Sequence, residues 1–288
     1  MKTSTLKNAL LLLAGAAFFA ASGVSAQPLK QMISPVSHPT NFEDPRHSTE
    51  LRPIYIYHEI DHDFATEGGN VQITALQARF KLTDDFSIIA TKDGYVDFNP
   101  HSTLNKSSGW ANISAGAKYS PYRTDSSIVS MGLRYEIPVG EESVLQGQGD
   151  GLINPFVSAA TTIENWNFMI GSGFRLRIDS SDSSLYDLDA HVSYKIGNFY
   201  PLVEFGLTHV MAAGNRLPIA DEGQDFFDIG ASESDGENIT TMAVGARYRI
   251  TDNLDFGAAY EFPLDNSSGT RIIEYRVTTD FIYRFSCT

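Results

Sequence analysis

The sequence predicts an all-β protein: an up-and-down antiparallel transmembrane β-barrel of about 12 strands, preceded by a signal peptide. Three observations predict this class. Apolar and polar residues alternate with a period of two along most of the chain, the connections alternate between short and long, and the N-terminus has the pattern of a secretory leader. With 42% apolar residues among 288, the chain is too hydrophobic to be disordered.

The first residues predict export. Lys2 and Lys7 precede an apolar run over 9–21, and Val24-Ser25-Ala26 fits a small-residue cleavage site. We therefore expect residues 1–26 to be a signal peptide that is cleaved after Ala26, with an uncleaved anchor helix as the alternative. Beyond this stretch no apolar run approaches the roughly 20 residues that a spanning helix needs.

A proline-rich segment comes next. Pro28, Pro35, Pro39 and Pro45 prevent a continuous helix, because proline lacks the backbone N–H and fixes φ. Residues 27–49 are therefore interpreted as an extended N-terminal arm, and residues 50–288 as the outer-membrane barrel. We hypothesise that the arm lies in the periplasmic mouth of the barrel as a partial plug.

The barrel strands follow from the alternation. In residues 127–137, for example, Met131 and Leu133 share one face, while Arg134 and Glu136 share the other. No segment has convincing 3.6-residue periodicity over three turns. The predicted strands cover 50–60, 70–82, 86–93, 109–119, 127–138, 152–163, 166–178, 185–196, 199–211, 239–250, 253–263 and 271–285.

The connections favour a barrel over a soluble β-sandwich, which explains the alternation equally well. Tight links such as Thr83-Asp84-Asp85 and Thr251-Asp252 alternate with long ones, as in outer-membrane barrels that have short turns at one end and long loops at the other. The last strand is aromatic and ends at Phe285, which resembles the C-terminal signal read by the barrel-assembly machinery. Further rings near strand ends predict an aromatic girdle: Phe86, Tyr119, Trp166, Tyr194, Phe199, Tyr248, Phe281 and Tyr283.

Four short sequence segments, taken together, carry a family resemblance. They are Phe42-Glu43-Asp44-Pro45-Arg46, Leu51 to His58, Ala90 to Tyr95, and Arg134 to Gly140. They resemble the outer-membrane family called "putative MetA-pathway of phenol degradation", over about residues 40–285. The resemblance implies a signal-bearing barrel that passes hydrophobic or aromatic compounds. It implies no residue-level functional assignments.

Charged residues concentrate on the face opposite the apolar one, so they should line the lumen. This inferred lining is more basic than acidic, although the whole chain has a net charge of -14. Two interpretations stay open: the charges pair to fill and stiffen the lumen, or they form a constriction that selects solutes. The candidate lining residues are Arg79, Lys118, Arg134, Glu136, Arg175, Arg177, Asp187, Asp189, Glu204, Arg247, Arg249, Glu261, Glu274 and Arg276.

The long link 212–238 is rich in Asp and Glu. A solvated acidic loop is one interpretation, and a site for divalent cations near lipopolysaccharide is another, although the spacing is not that of an EF-hand. Phe226-Phe227 within this link could fold inward as a lid.

No enzyme chemistry is predicted. His191-Val192-Ser193 places an imidazole and a hydroxyl on one strand face, but that face should point inward, away from lipid. The sequence has no G-x-S-x-G, P-loop or G-x-G-x-x-G pattern, and its histidines lack metal-ligand spacing. We expect no catalytic residues, no metal and no cofactor, and the acidic balance argues against nucleic-acid binding.

The function predicted from the sequence is an outer-membrane channel or transporter that passes small molecules, hydrophobic or aromatic ones among them, through a charged lumen. The expected location is the outer membrane of a Gram-negative-type bacterium, after secretion across the inner membrane. Expected partners are outer-membrane lipid and lipopolysaccharide, the assembly machinery at Phe285, and a small-molecule solute. One alternative is a closed structural barrel whose extracellular loops bind partners, and a lipid-acting hydrolase is the other.

Overall fold

A computed structural model of the chain describes residues 28–264 and 272–285. Its strands form one antiparallel sheet that closes on itself, because β1 pairs with both β2 and β14. The strands are β1 (Glu50–Ile60), β2 (Gly69–Lys81), β3 (Phe86–Lys92), β4 (Tyr95–Pro100), β5 (Ser107–Trp110), β6 (Ile113–Arg123), β7 (Ser127–Ile137), β8 (Leu152–Ile163), β9 (Trp166–Arg177), β10 (Ser184–Tyr194), β11 (Phe199–Ala212), β12 (Asn238–Thr251), β13 (Leu254–Pro263) and β14 (Tyr275–Arg284).

The barrel wall has 12 strands, as predicted, because two pairs of segments each form one wall strand. β2 pairs with β3 at the end near Lys81 and with β4 at the end near Gly69. β3 pairs with β6, and β4 with β5, so the next wall strand is interrupted in the same way. These wall strands extend further than the predicted spans 86–93 and 109–119, and β14 begins later than the predicted residue 271.

The interruption at Asp93-Gly94 has a local cause. Gly94 has φ +126°, and a Cβ there would lie 2.7 Å from the carbonyl oxygen of Thr74. The Asp93 side chain accepts a hydrogen bond from the Leu76 N–H, which has no β3 or β4 partner at this point. The irregular pair of residues breaks the period-two pattern, which is why the sequence places the end of the strand too early.

Alternation in the wall points apolar side chains outward. Leu76, Phe80, Leu133 and Val203 are among many large apolar side chains that are exposed on the outer face, while the alternate positions are buried. A soluble sandwich would bury its apolar face, so the closed sheet and the exposed apolar band confirm the barrel. All of the predicted girdle rings except Tyr194 are among these exposed residues, and Tyr194 is half-buried.

The two ends of the barrel differ. Tight turns at 82–85, 124–126, 164–165, 195–198 and 252–253 define the turn end, and the longer links define the loop end. The first wall strand begins at the turn end and the last wall strand finishes there, where the Phe285 N–H donates to the Thr49 carbonyl oxygen. Short 3-10 turns occur at Leu29–Gln31 and Glu142–Val144. Among the described residues, no helix combines the length and the apolar character needed to cross a bilayer.

The predicted signal peptide 1–26, with its cleavage site at Ala26, lies outside the described residues. The same holds for 265–271 and for the three residues after Phe285.

Two segments that do not belong to the wall occupy the lumen. Residues 32–45 of the arm are almost entirely buried, and so are most of residues 221–231 of the link between β11 and β12. We call the first segment (28–49) the arm and the second (213–237) the inner loop. The arm packs with wall residues in two small clusters that include Phe42 with Met169 and Val36 with Leu202.

Candidate functional site in the lumen

Most of the predicted lining residues are on the inner face. Arg79, Lys118, Arg134, Glu136, Arg175, Asp187, Asp189, Glu204, Arg247, Glu261 and Arg276 are buried there. Arg177 and Arg249 are half-buried, near the loop end and the turn end respectively. Glu274 precedes β14 at the loop end and its side chain is exposed.

The arm supplies acidic partners for the basic wall. The Glu43 carboxylate lies 2.7 Å from Arg79 Nη2 and 2.8 Å from Lys118 Nζ, and all three side chains are buried. Arg134 donates to the carbonyl oxygens of Thr40 and Asn41. Charges removed from water are costly unless they are paired, so these contacts bind the arm firmly to the wall.

A second ion cluster holds the arm nearer the turn end. Arg247 donates to both oxygens of Asp280, at 2.7 and 2.8 Å, and Arg52 lies 2.5 Å from the same carboxylate. Both guanidinium groups also donate to arm carbonyl oxygens, Arg247 to Ser34 and Arg52 to Pro35. The arm backbone therefore accepts hydrogen bonds from both wall cations in addition to their pairing with Asp280.

His38 of the arm stands where the arm meets the inner loop. Its Nε2 lies 2.7 Å from Glu261 Oε1, and its Nδ1 lies 3.1 Å from Asp189 Oδ1. The side-chain amide of Gln224, from the inner loop, donates to the same Glu261 oxygen at 2.6 Å. The imidazole fits because β11 has Gly206 at this level, where a Cβ would lie 2.1 Å from His38 Cε1.

The His191 and Ser193 side chains point inward, as the sequence predicts. His191 Nε2 lies 3.0 Å from Ser193 Oγ, and its Nδ1 lies 2.7 Å from Glu204 Oε1, which is the order of a hydrolase triad. However, Ser193 is buried, with 1% of its surface exposed. Glu204 also accepts hydrogen bonds from the Val36 and Ser37 N–H groups and the Ser37 hydroxyl. The geometry supports an anchor for the arm.

The inner loop enters from the opposite end. Asp225 lies 2.6 Å from Arg276 Nη1, and its backbone carbonyl accepts a hydrogen bond from the Thr40 hydroxyl of the arm. Arg175, which is paired with Asp187, donates to the Gln224 carbonyl oxygen. The inner loop and the arm therefore meet inside the barrel and share the same wall charges.

One sector of the inner wall is apolar, which the sequence analysis missed. Inward residues of β1, β2 and β4 form a hydrophobic cluster with Phe226, Phe227 and Ile229 of the inner loop. β1 looks apolar on both faces in the sequence, and the interruption at Asp93-Gly94 hides the alternation of β4. The wall residues of this sector are Ile54, Ile56, Ile60, Val71, Ile73, Ala75, Val96 and Phe98.

Carboxyl groups gather where the inner loop leaves the lumen. Glu222 accepts hydrogen bonds from the Ser183 hydroxyl and from backbone N–H groups of its own loop, and Arg216 bridges Asp182 and Asp228. Burial raises the pKa of Asp182 to about 6, with Arg216 opposing this and Asp179 and Glu136 adding to it. Burial, Glu222 and Asp182 also raise the pKa of Asp228 well above its ordinary value. Within the described ranges, no three His, Cys, Asp or Glu side chains are grouped so that they could hold a metal ion.

Several other lumen residues escaped the sequence analysis. Arg52 lies on the ambiguous first strand, and Lys92, which is 2.5 Å from Glu136, lies at the interrupted strand end. His38 and Glu43 lie in the arm, which has no alternation to interpret. A signal for the arm did exist: the predicted lining has more basic than acidic members, so further buried acids had to come from elsewhere in the chain.

The closed sheet and its apolar outer face define a class by fold: a 12-stranded antiparallel β-barrel, the architecture that outer-membrane porins and channels share. The chain is similar to the COG4313 outer membrane channel from Pseudomonas putida F1, with a TM-score of 0.61 and 16% identity, over 88% of this chain and all of that one. It is also similar to the NanC porin, with a TM-score of 0.52 and 12% identity, over 83% of this chain and all of that one. No family model and no curated protein matches the sequence.

Proposed function

We propose that this protein is an outer-membrane channel for small solutes that is closed by its arm and its inner loop. One observation carries the proposal: the lumen is filled by two segments that are not part of the wall. Small barrels are filled by their own wall side chains, and wide ones keep an open channel. Here the wall side chains pair with a separable plug, so the same barrel can be closed or open.

Location and partners follow from the same proposal. The exposed apolar band suits the lipid of a Gram-negative outer membrane, reached after secretion across the inner membrane. The loop end would then face lipopolysaccharide. The exposed Phe285 at the end of the last wall strand is the element that the barrel-assembly machinery would read.

The apolar sector supports hydrophobic or aromatic compounds as the solutes. Phe226 and Phe227 fill this sector, and their ring centroids are 5.3 Å apart. The Lys92 ammonium lies 5.2 Å from the centroid of the Phe226 ring. An aromatic solute that enters from the loop end can replace these two rings at little cost in buried apolar area. Replacement releases the inner loop and opens that half of the lumen.

Conductance in a planar bilayer tests the channel. The wild-type protein should be mostly closed, while deletion of residues 29–45, or the double substitution Phe226→Ala and Phe227→Ala, should give longer and more frequent openings. Leu104→Ala is the control, because Leu104 is an exposed apolar residue in another loop-end link. If all of these variants are heat-modifiable on gels yet silent in the bilayer, the closed structural barrel with partner-binding loops replaces the channel.

The solute class is tested with toluene and glucose as probes on the same bilayer. Toluene should raise the open fraction and glucose should not, because only toluene competes for the apolar sector. Ile73→Asn should abolish the response to toluene, since it places an amide among the inward apolar residues. Leu133→Asn is the matched control on the outer face. An equal response to both probes would contradict a hydrophobic solute.

The hydrolase alternative is tested separately. Ser193→Ala should leave any lipase-type activity of the detergent-solubilised protein unchanged, because the hydroxyl is buried beneath the arm. A measurable wild-type activity that this variant loses would show that the protein is a hydrolase and that Ser193 takes part in the reaction.

A further inference from the structure

We propose that the turn end contains a binding site for small organic anions that have an apolar body, such as aromatic carboxylates. The site is a cavity of about 650 Å³ between the arm and the wall. It lies at the opposite end from the apolar sector, and its existence does not depend on whether the channel opens.

Charge is the first argument. The cavity is lined by six basic residues, Lys30, Arg46, Arg123, Lys195, Arg249 and Arg284, and by three acidic ones, Asp44, Glu50 and Asp252. The chain as a whole has a net charge of -14, so this excess of basic groups is local. The basic residues outnumber the acidic ones by three, and a concave site with an excess of one sign of charge attracts ions of the opposite sign.

The basic groups differ in whether an acidic side chain already pairs with them. Arg46 pairs with Asp44. Arg249 and Arg284 both pair with Asp255, which is buried. Lys195 contacts a neutral partner, the side-chain oxygen of Gln31, and Arg123 donates to the Asp84 carbonyl oxygen while standing 4.0 Å from its carboxylate. Lys30 and Lys195 therefore provide most of the charge that is left for a ligand, with Arg123 partly neutralised by Asp84 and with Asp252 as the opposing charge in the lining.

The apolar lining is the second argument. Leu29, Ile128 and Tyr200 line the same cavity, and the Arg249 guanidinium lies over the Tyr200 ring at 5.6 Å from its centroid. Leu29 and Ile128 belong to the buried cluster with Met32, so this side of the cavity is fixed. An inorganic ion would use only the charges, whereas an aromatic carboxylate would use the charges and the apolar side together.

The site would act on solutes at the periplasmic mouth. A solute with an acidic group would be retained there after it has passed the lumen, or gathered there before export. Both directions use the same contacts, so the binding measurement addresses the site and leaves the direction of transport to flux experiments.

Equilibrium titration of the full-length protein in non-ionic detergent tests the proposal. The probes are benzoate, benzyl alcohol and inorganic phosphate at low salt. Benzoate should bind saturably with one site per chain, and both other probes should bind at least about tenfold more weakly. Raising the salt from about 50 mM to about 500 mM should weaken benzoate binding, because ions screen exposed charges.

Variants locate the site. The double substitution Lys30→Gln and Lys195→Gln should weaken benzoate binding by about fivefold, since each exposed charge contributes modestly. Lys106→Gln is the matched control: it also removes an exposed positive charge, but in the link between β4 and β5 at the loop end. The proposal is overturned if benzoate does not bind, if benzyl alcohol binds as tightly, or if the double variant and the control weaken binding equally. Because the titration needs no open channel, its failure is distinguishable from failure in the bilayer experiment.

Discussion

Glu43 is the residue on which the packing of the arm depends most directly. Its carboxylate contacts two wall cations from different strands, and all three side chains are buried. Two buried cations share this one anion, which accepts hydrogen bonds from both of them. Glu50 of β1 lies 3.5 Å from Arg79 Nη1, so Glu43 is the nearer of two acidic partners for Arg79, and it is the acidic partner of Lys118.

Replacing Glu43 by Gln should destabilise the protein strongly. Breaking a buried ion pair typically costs about 3–5 kcal/mol, because the remaining charge stays buried without a partner. The measurement is the temperature at which the folded barrel disappears from unboiled gel samples, together with protease cleavage at Arg46. Asp84→Asn is the control, since Asp84 pairs with Lys81 at the exposed turn end. If both variants melt like the wild type, Glu43 does not hold the arm.

The substitution Gly206→Ala tests whether His38 needs the space beside Gly206 of β11. A Cβ in Gly206→Ala would lie 2.1 Å from the imidazole, so the arm has to move away from β11. We expect faster protease cleavage in the arm and a larger open fraction in the bilayer. Gly173→Ala is the control, because its added Cβ meets Phe156 and Pro155 of β8 instead of the arm. Equal effects in both variants would indicate general crowding of the sheet.

At the scale of elements, the arm and the inner loop form one plug from two directions. They contact each other through Thr40 with Asp225 and through His38 with Gln224. Both also use the charges of the same wall strands. Removal of one segment should therefore weaken the other, although the two enter at opposite ends.

The inner loop should respond to pH through Asp182 and Asp228. Both carboxyl groups have raised pKa values when the loop is docked, so docking takes up protons relative to a solvated loop whose Asp pKa is about 3.9. Docking is therefore most stable below about pH 4 and weakens as the pH rises through about 6. The bilayer should show a larger open fraction at pH 8 than at pH 5.

Variants identify the groups responsible. The double substitution Asp182→Asn and Asp228→Asn should remove most of this pH dependence, since the neutral amides imitate the protonated carboxyls. Asp235→Asn, an exposed position of the same loop, should leave it unchanged. A pH response that survives the double variant would show that other groups are responsible.

At the scale of the whole molecule, the barrel inverts the arrangement of a soluble protein. Large apolar side chains cover the outer face of the wall, and many charged side chains are buried inside with the arm. The inside tolerates this because the buried ion pairs of the described ranges join charges of the wall, the arm and the inner loop. Stability in the membrane therefore depends on the outer face staying apolar.

Leu133→Arg tests that orientation. Leu133 is exposed on the outer face near the middle of β7. An arginine there should cost about 2–4 kcal/mol in a bilayer, because a charge at that depth faces hydrocarbon. Equilibrium unfolding in vesicles measures the change. Leu104→Arg, at an exposed position of a loop-end link, should be nearly neutral, and a neutral Leu133→Arg would mean that this face does not meet lipid.

The sequence by itself determined the wall. Strand number, the inward and outward faces, and the difference between the two ends all follow from period-two alternation and link length, because each strand's pattern is local. The alternation failed where a local irregularity interrupts it, at Asp93-Gly94, and on β1, whose residues look apolar on both faces. The inward position of the lining charges, with Glu274 as the exception at the rim, followed from the same pattern.

Only the tertiary structure decided what fills the lumen. The contacts of Glu43 with Arg79 and Lys118, of His38 with Glu261, and of Asp225 with Arg276 join residues far apart in the chain. Such pairing leaves no periodic trace, because irregular segments choose their position by charge and shape complementarity inside a closed wall. The apolar sector under Phe226 and Phe227 and the basic cavity at the turn end likewise appear only when the barrel closes and brings distant strands together.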